Sequence, residues 1–101
     1  MNEPVEKLPP VVADSLKRFT AAKFGIKPQT LQIADVKQGG WSDGCLGLGL
    51  SEEEACTMAL VSGWIVTLTN EQYCWVYHTA GVGNFRLNRG VSNVPDNFSN
   101  L

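Results

Sequence analysis

Three cysteines, one histidine and a scatter of acids are the residues through which this 101-residue chain could do chemistry. Cys45 and Cys56 flank the stretch Gly39-Gly40-Trp41-Ser42-Asp43-Gly44-Cys45-Leu46-Gly47-Leu48-Gly49-Leu50, which carries five glycines, three leucines and a tryptophan. Three cysteines allow three single bridges, and spacing alone does not choose among them. A Cys45–Cys56 bridge would staple this loop and contribute about 3 kcal/mol in the chain-entropy account. It would also imply an oxidising compartment or a redox-sensitive loop. The alternative is a pair of reduced, buried thiols. Cys74, between aromatic residues of a strand-like run, reads as a small buried hydrophobe. His78 follows it by four residues, on the same strand face but about 13 Å away. That is too far for a nucleophile and its base. The expectation for His78 is hydrogen-bonded structure.

The loop invites two further readings, and both fail on residue type. Gly44, Gly47 and Gly49 match neither phosphate-loop spacing, and Glu52, Glu53 and Glu54 at the next helix start would repel an anion. Asp43 and Glu54 stand at positions 1 and 12 of a calcium-loop register, but positions 3 and 5 are Cys45 and Gly47, and position 6 is Leu48 rather than Gly. One histidine and three separated cysteines do not form paired zinc spacings. Asp35 and Asp43 show no sign of facing a glutamate across a cleft, as glycoside chemistry requires. No catalytic residue, cofactor or metal is expected.

The elements that must position these groups are legible in part. Pro9-Pro10 suits the first turn of a helix. From Val11 to Phe24, Val12, Leu16, Phe19 and Ala22 recur at helical spacing, with Asp14, Lys17, Arg18 and Thr20 elsewhere. Gly25 and Pro28 end the helix. Thr30–Lys37 reads as a first strand, followed by the glycine-rich loop. Ser51-Glu52-Glu53-Glu54 has the form of a capping box and predicts a short helical turn through Cys56. Leu60–Thr69 is a second strand with a bend or bulge at Ser62-Gly63. Asn70-Glu71 makes a two-residue turn into Gln72–Thr79, and Gly81–Asn84 turns the chain into Phe85–Asn88. Such a turn sets Trp64, Val66 and Leu68 opposite Tyr77, Trp75 and Tyr73, all on one face. That face receives the helix; the alternative turns it outward as a binding platform. The fold class is α+β, one N-terminal helix packed on an antiparallel meander of about four strands, with the loop after the first strand. Residues 1–8 read as a flexible arm, 9–90 as a single domain and 91–101 as a flexible tail.

Composition narrows the classes. With 44% apolar and 18% charged residues, the chain is of ordinary globular type. Its net charge of −2 and scattered lysines and arginines argue against nucleic acid as a partner. No apolar run approaches the roughly 20 residues of a membrane span. The first residues lack the order of a signal peptide. A cytoplasmic chain, or an extracytoplasmic one whose leader was removed, are both compatible with that.

Three segments in order, Trp41–Gly47, Val61–Leu68 and Trp75–Thr79, resemble a pattern of small bacterial, largely cyanobacterial domains: W-x-D-x-x-L-G, then P-G-[YW]-x-[VI]-x-L, then a strand ending Y-H-T. The resemblance covers about Val11 to Leu87. It departs at Ser62, where the pattern has Pro, which leaves the bend before Trp64 less rigid. The family is uncharacterised, so the resemblance implies a fold unit and a bacterial origin and carries no catalytic set. The reading is a non-catalytic binding or accessory domain whose partner is another protein. Trp41, Asp43 and Leu46 are the candidate contacts, since aromatic anchors on rigid loops are what interfaces use. Otherwise Trp41 and Leu46 fold down to seal the sheet. The alternatives are a cystatin-like peptidase inhibitor, by layout alone, and a thiol-disulfide responsive switch.

Overall fold

The structure, a computed structural model, describes residues 8–49 and 56–95. The helical turn expected at Ser51–Glu54 lies outside them, as do most of the expected arm and the end of the expected tail. Helix α1 (Pro10–Phe24) leads through a 3-10 turn (Pro28–Thr30) into strands β1 (Gln32–Trp41), β2 (Val61–Thr69), β3 (Cys74–Gly81) and β4 (Asn84–Leu87). The strands form one antiparallel sheet in the order β1-β2-β3-β4, with the helix against one face. This is the α+β meander that the sequence predicts. No helix among the described residues is long and apolar enough to cross a membrane.

Pro10 occupies the first turn of α1, where its missing N–H costs nothing. Gly25 closes the helix at φ 68°, its N–H bonded to the carbonyl of Ala21. The buried line is Val12, Leu16, Thr20 and Phe24 with Ala21 beside it. It advances in steps of four and so differs from the expected stripe. Ala22 is exposed, and Phe19 lies at the margin with its ring edge-on to Phe85 at 4.8 Å. Thr20, expected on the wet face, is fully buried because its Oγ1 lies 2.5 Å from the Tyr77 hydroxyl.

The inner face of the sheet carries Val36, Val66, Leu68, Trp75 and Tyr77, all buried against Leu16, Phe24 and Leu31. Trp75 and Tyr77 have no exposed surface, which rules out the outward-facing platform. Burying each such side chain contributes about 1.5–3 kcal/mol. The register differs from the two-residue-turn reading by two positions: Val66 faces Tyr77, Leu68 faces Trp75 and Trp64 faces Thr79. The cause is a four-residue connection, Asn70–Tyr73. There the Asn70 side-chain oxygen accepts N–H bonds from Gln72 and Tyr73, and Glu71 takes φ 83°. A shift of two keeps every side chain on its expected face.

Ser62 and Gly63 pair regularly with Gly40 and Gly39, so the expected bulge is not there; the irregularities fall at Ile33/Asp35 and Thr79/Gly81. Gly63 serves a close approach instead, since a Cβ at that position would collide with the Thr79 carbonyl oxygen. β1 also runs further than expected, taking Gly39 and Gly40 out of the loop and into the sheet. At the ends, Leu8 joins the core and Asn93 bridges to Cys74. Cys74 itself is half-buried rather than a core residue.

The Thr20–Tyr77 bond is a buried polar contact inside an apolar layer. Removing one partner leaves the other unpaired, at about 1–3 kcal/mol. Tyr77→Phe is therefore expected to lower unfolding free energy by that amount, and Thr20→Val/Tyr77→Phe to recover much of it, as read by urea denaturation. Burial also pushes the Tyr77 phenol up to about 12 from its ordinary 10, against opposing pulls from the Thr20 bond and the Arg89 charge. The folded state thus holds this proton more tightly than the unfolded one. The associated stability is complete below about pH 10 and falls as pH rises toward 12, by about 2–3 kcal/mol in all. Denaturation midpoints at pH 8 to 11 should fall more steeply for the native chain than for Tyr77→Phe.

Candidate functional site

The outer face of the sheet would be left open by the helix, and the glycine-rich loop turns back over part of it. Asp43 sets the turn: its Oδ1 accepts N–H bonds from Cys45 at 2.9 Å and Gly47 at 3.1 Å. Leu46 N–H donates to the Asp43 carbonyl, and Leu48 N–H to that of Cys45. Within this tight coil Leu46 adopts φ 58° and Gly47 φ 76°. A left-handed leucine costs about 1–2 kcal/mol. Complete burial of its side chain offsets that cost.

Four contacts hold the coil, two to the segment of Cys56 and Thr57 and two to the sheet. Cys45 and Cys56 form a disulfide with Cα atoms 5.4 Å apart, the bridge that would staple the loop rather than the pair of reduced thiols. Beside it, Gly44 N–H donates to the Thr57 carbonyl at 2.8 Å, tying together the two cysteine-bearing segments. The third contact is His78, whose Nδ1 lies 2.8 Å from the Leu46 carbonyl oxygen. A carbonyl only accepts, so Nδ1 carries the proton, and Nε2 accepts from the Asn88 amide at 3.3 Å. Asn88 is oriented for this because its Oδ1 takes the Gly90 N–H. Arg86, opposite His78 on β4, adds a bond from Nη1 to the Leu48 carbonyl.

Trp41 lies across the result. Its indole stacks on His78, with ring centroids 5.1 Å apart and planes 19° from parallel. It also packs on Gly47 and Gly39: a Cβ at Gly47 would sit 2.8 Å from the indole, and one at Gly39 2.9 Å. Glycine at 47 thus serves both the backbone turn and the aromatic contact.

The structure therefore divides the expected contact residues. Leu46 is sealed, with no exposed surface, while Trp41 and Asp43 remain half-buried at the loop surface. His78 is satisfied through both ring nitrogens. Arg86, Asn88 and Thr57 are not marked out in the sequence, and neither is the role of His78 as the floor of the indole stack. Nothing in their spacing signals it, since Leu46 and His78 are 32 residues apart. The fold also gathers a cluster that spacing does not show: ligand atoms of Asp43, Cys45 and Cys56 lie within 4.8 Å of one another.

Among the described residues, one helix lies on a four-stranded antiparallel meander whose outer face is partly covered by a disulfide-clamped loop, which defines a small α+β domain. The chain belongs to the family described as Domain of unknown function (DUF8738), which matches residues 13–87 and so takes in most of the helix, all four strands and the loop. No curated protein and no solved structure matches it.

Breaking the clamp tests how much of this layer depends on it. The bridge closes a short loop, so Cys45→Ser/Cys56→Ser is expected to lose about 3 kcal/mol of unfolding free energy. Tryptophan fluorescence should report the Trp41 stack under native conditions. Loss of stability with an unchanged spectrum would mean that the hydrogen bonds alone hold Trp41 on His78.

Proposed function

We propose that this domain is a non-catalytic binding or accessory module that contacts another protein through the clamped loop, with Trp41 as anchor and Asp43 at its side. The observation that carries the reading is the fixed, half-exposed indole. A rigid aromatic contributes large contact area at little further entropic cost on binding, which is the property of interface anchors. Met58 and Leu60, which lead from Cys56 to Val61, the β2 partner of Trp41, are 91% and 90% exposed and add apolar surface to this segment. The non-catalytic half of the reading is supported by the occupied state of the reactive groups. His78 has both nitrogens engaged, Nδ1 with the loop and Nε2 with Asn88, and two of the three cysteine sulfurs are joined to each other.

A photo-crosslinking residue at Met58, compared with one at Ala22 on the exposed side of α1, tests the surface in cells expressing the chain. The expected outcome is a discrete cross-linked species from position 58 that is lost in the Trp41→Ala background and not formed from position 22. Equal cross-linking with and without Trp41 would remove the loop from contention. The peptidase-inhibitor alternative has no observation in its favour beyond the helix-on-sheet layout.

A further inference from the structure

Asp43, Cys45 and Cys56 are a carboxylate and two sulfurs whose ligand atoms lie within 4.8 Å of one another. We propose that on reduction of the disulfide this cluster binds one zinc-type divalent ion through the Cys45 and Cys56 thiolates and the Asp43 carboxylate, leaving a fourth position open.

Three observations carry the proposal. First, contacts other than the disulfide also hold the two cysteine-bearing segments in place. The Gly44–Thr57 hydrogen bond joins the residues adjacent to each cysteine, and the buried Leu46 side chain anchors the segment next to Cys45. Second, the Cα atoms are 5.4 Å apart. Tetrahedral zinc with Zn–S of about 2.3 Å requires sulfurs about 3.8 Å apart. Side-chain rotation about fixed backbones can open the sulfurs by that much. Third, Asp43 is already oriented as a supported ligand. Its Oδ1 takes two backbone N–H bonds, and its second oxygen accepts no hydrogen bond among the described residues. Outer hydrogen bonds of this kind fix the direction of a metal-bound carboxylate. Two thiolates with a carboxylate suit zinc and its soft analogues over calcium or magnesium.

The chemistry balances with a thiol or phosphine reductant. A dithiol passes two electrons and two protons to the Cys45–Cys56 bond, giving two protein thiols and its own disulfide; a phosphine supplies the two electrons and leaves as the phosphine oxide, its oxygen and the two protons coming from water. The metal ion then forms two M–S bonds as two S–H bonds break, and two protons pass to solvent. The loop would thus be clamped in either state, by a covalent bond when oxidised and by a metal when reduced.

The test uses the whole chain, reduced with a phosphine, desalted without oxygen and titrated with Co²⁺ and then Zn²⁺. The expected result is one equivalent of Co²⁺ with thiolate-to-cobalt charge-transfer absorption in the near ultraviolet, displaced by Zn²⁺ and confirmed as a 1:1 mass by native mass spectrometry. The oxidised chain should show none of it. Cys74→Ser, which removes the free thiol, should bind like the native chain. Asp43→Asn keeps an oxygen for the Cys45 and Gly47 amides but loses the charge, and should weaken binding roughly tenfold or more. Absence of 1:1 binding by the reduced chain, or equal binding by the oxidised chain, overturns the site. Retention of the band in Cys45→Ser/Cys56→Ser does the same. Native affinity in Asp43→Asn overturns the assignment of the carboxylate.

Discussion

The outer half of this domain depends on the burial of one leucine in an unfavourable backbone conformation. Leu46 sits at φ 58° with no exposed surface, and its carbonyl meets the proton on His78 Nδ1. The side chain closes the sheet's second face, the carbonyl selects the histidine tautomer, and the turn brings Gly47 beneath Trp41. Without that burial the left-handed turn would have no compensation, and the indole would have no platform of two glycines and an imidazole to lie on. The disulfide and the Gly44–Thr57 bond restrain the start of the turn and the Arg86–Leu48 bond its end; the leucine fixes its middle.

This arrangement explains how a short coil covers part of the sheet face that α1 leaves open. α1 covers the inner face by ordinary amphipathic packing, with the Thr20–Tyr77 contact as its buried polar bond to that face. The outer face is too mixed for a second helix, carrying Lys37, Thr67, Val76 and His78. A short coil needs only one apolar plug, and its backbone carbonyls are available to polar residues. His78 and Arg86, neighbours across β3 and β4, use that property by bonding to the carbonyls of Leu46 and Leu48. The result is a surface where aromatic, sulfur and carboxylate groups are held close together by backbone contacts.

How much of this can be read from the sequence depends on the range of the interactions. Pro10, Gly25 and Pro28 bound α1 through local backbone rules, and the sheet faces follow from strand alternation, so both are legible. The β2–β3 register departs from the expected one by two because the Asn70 side chain caps a four-residue turn whose composition disguises it as a two-residue one. Thr20 looks polar and is buried because its partner lies 57 residues away. The bridge between Cys45 and Cys56 is only half legible: the sequence shows that it would staple the loop, but spacing leaves the other pairings and reduced thiols open. The buried Leu46 and half-exposed Trp41 are not separable in sequence, since both are apolar and both flank glycines. What separates them is His78, which offers an imidazole face to one and a ring proton to the carbonyl of the other.

The most direct measurement is amide hydrogen exchange on the oxidised chain, resolved at Gly44, Cys45, Leu46, Gly47 and Leu48. All five donate N–H bonds within the loop or to Thr57. If the loop is a packed layer of the fold, their exchange should be slowed well below the free-peptide rate, with Leu46 among the slowest. Exchange at free-peptide rates with the disulfide intact would mean that the loop is not held on the sheet. Leu46 would then not plug the outer face, and the stack of Trp41 on His78 would have no fixed platform.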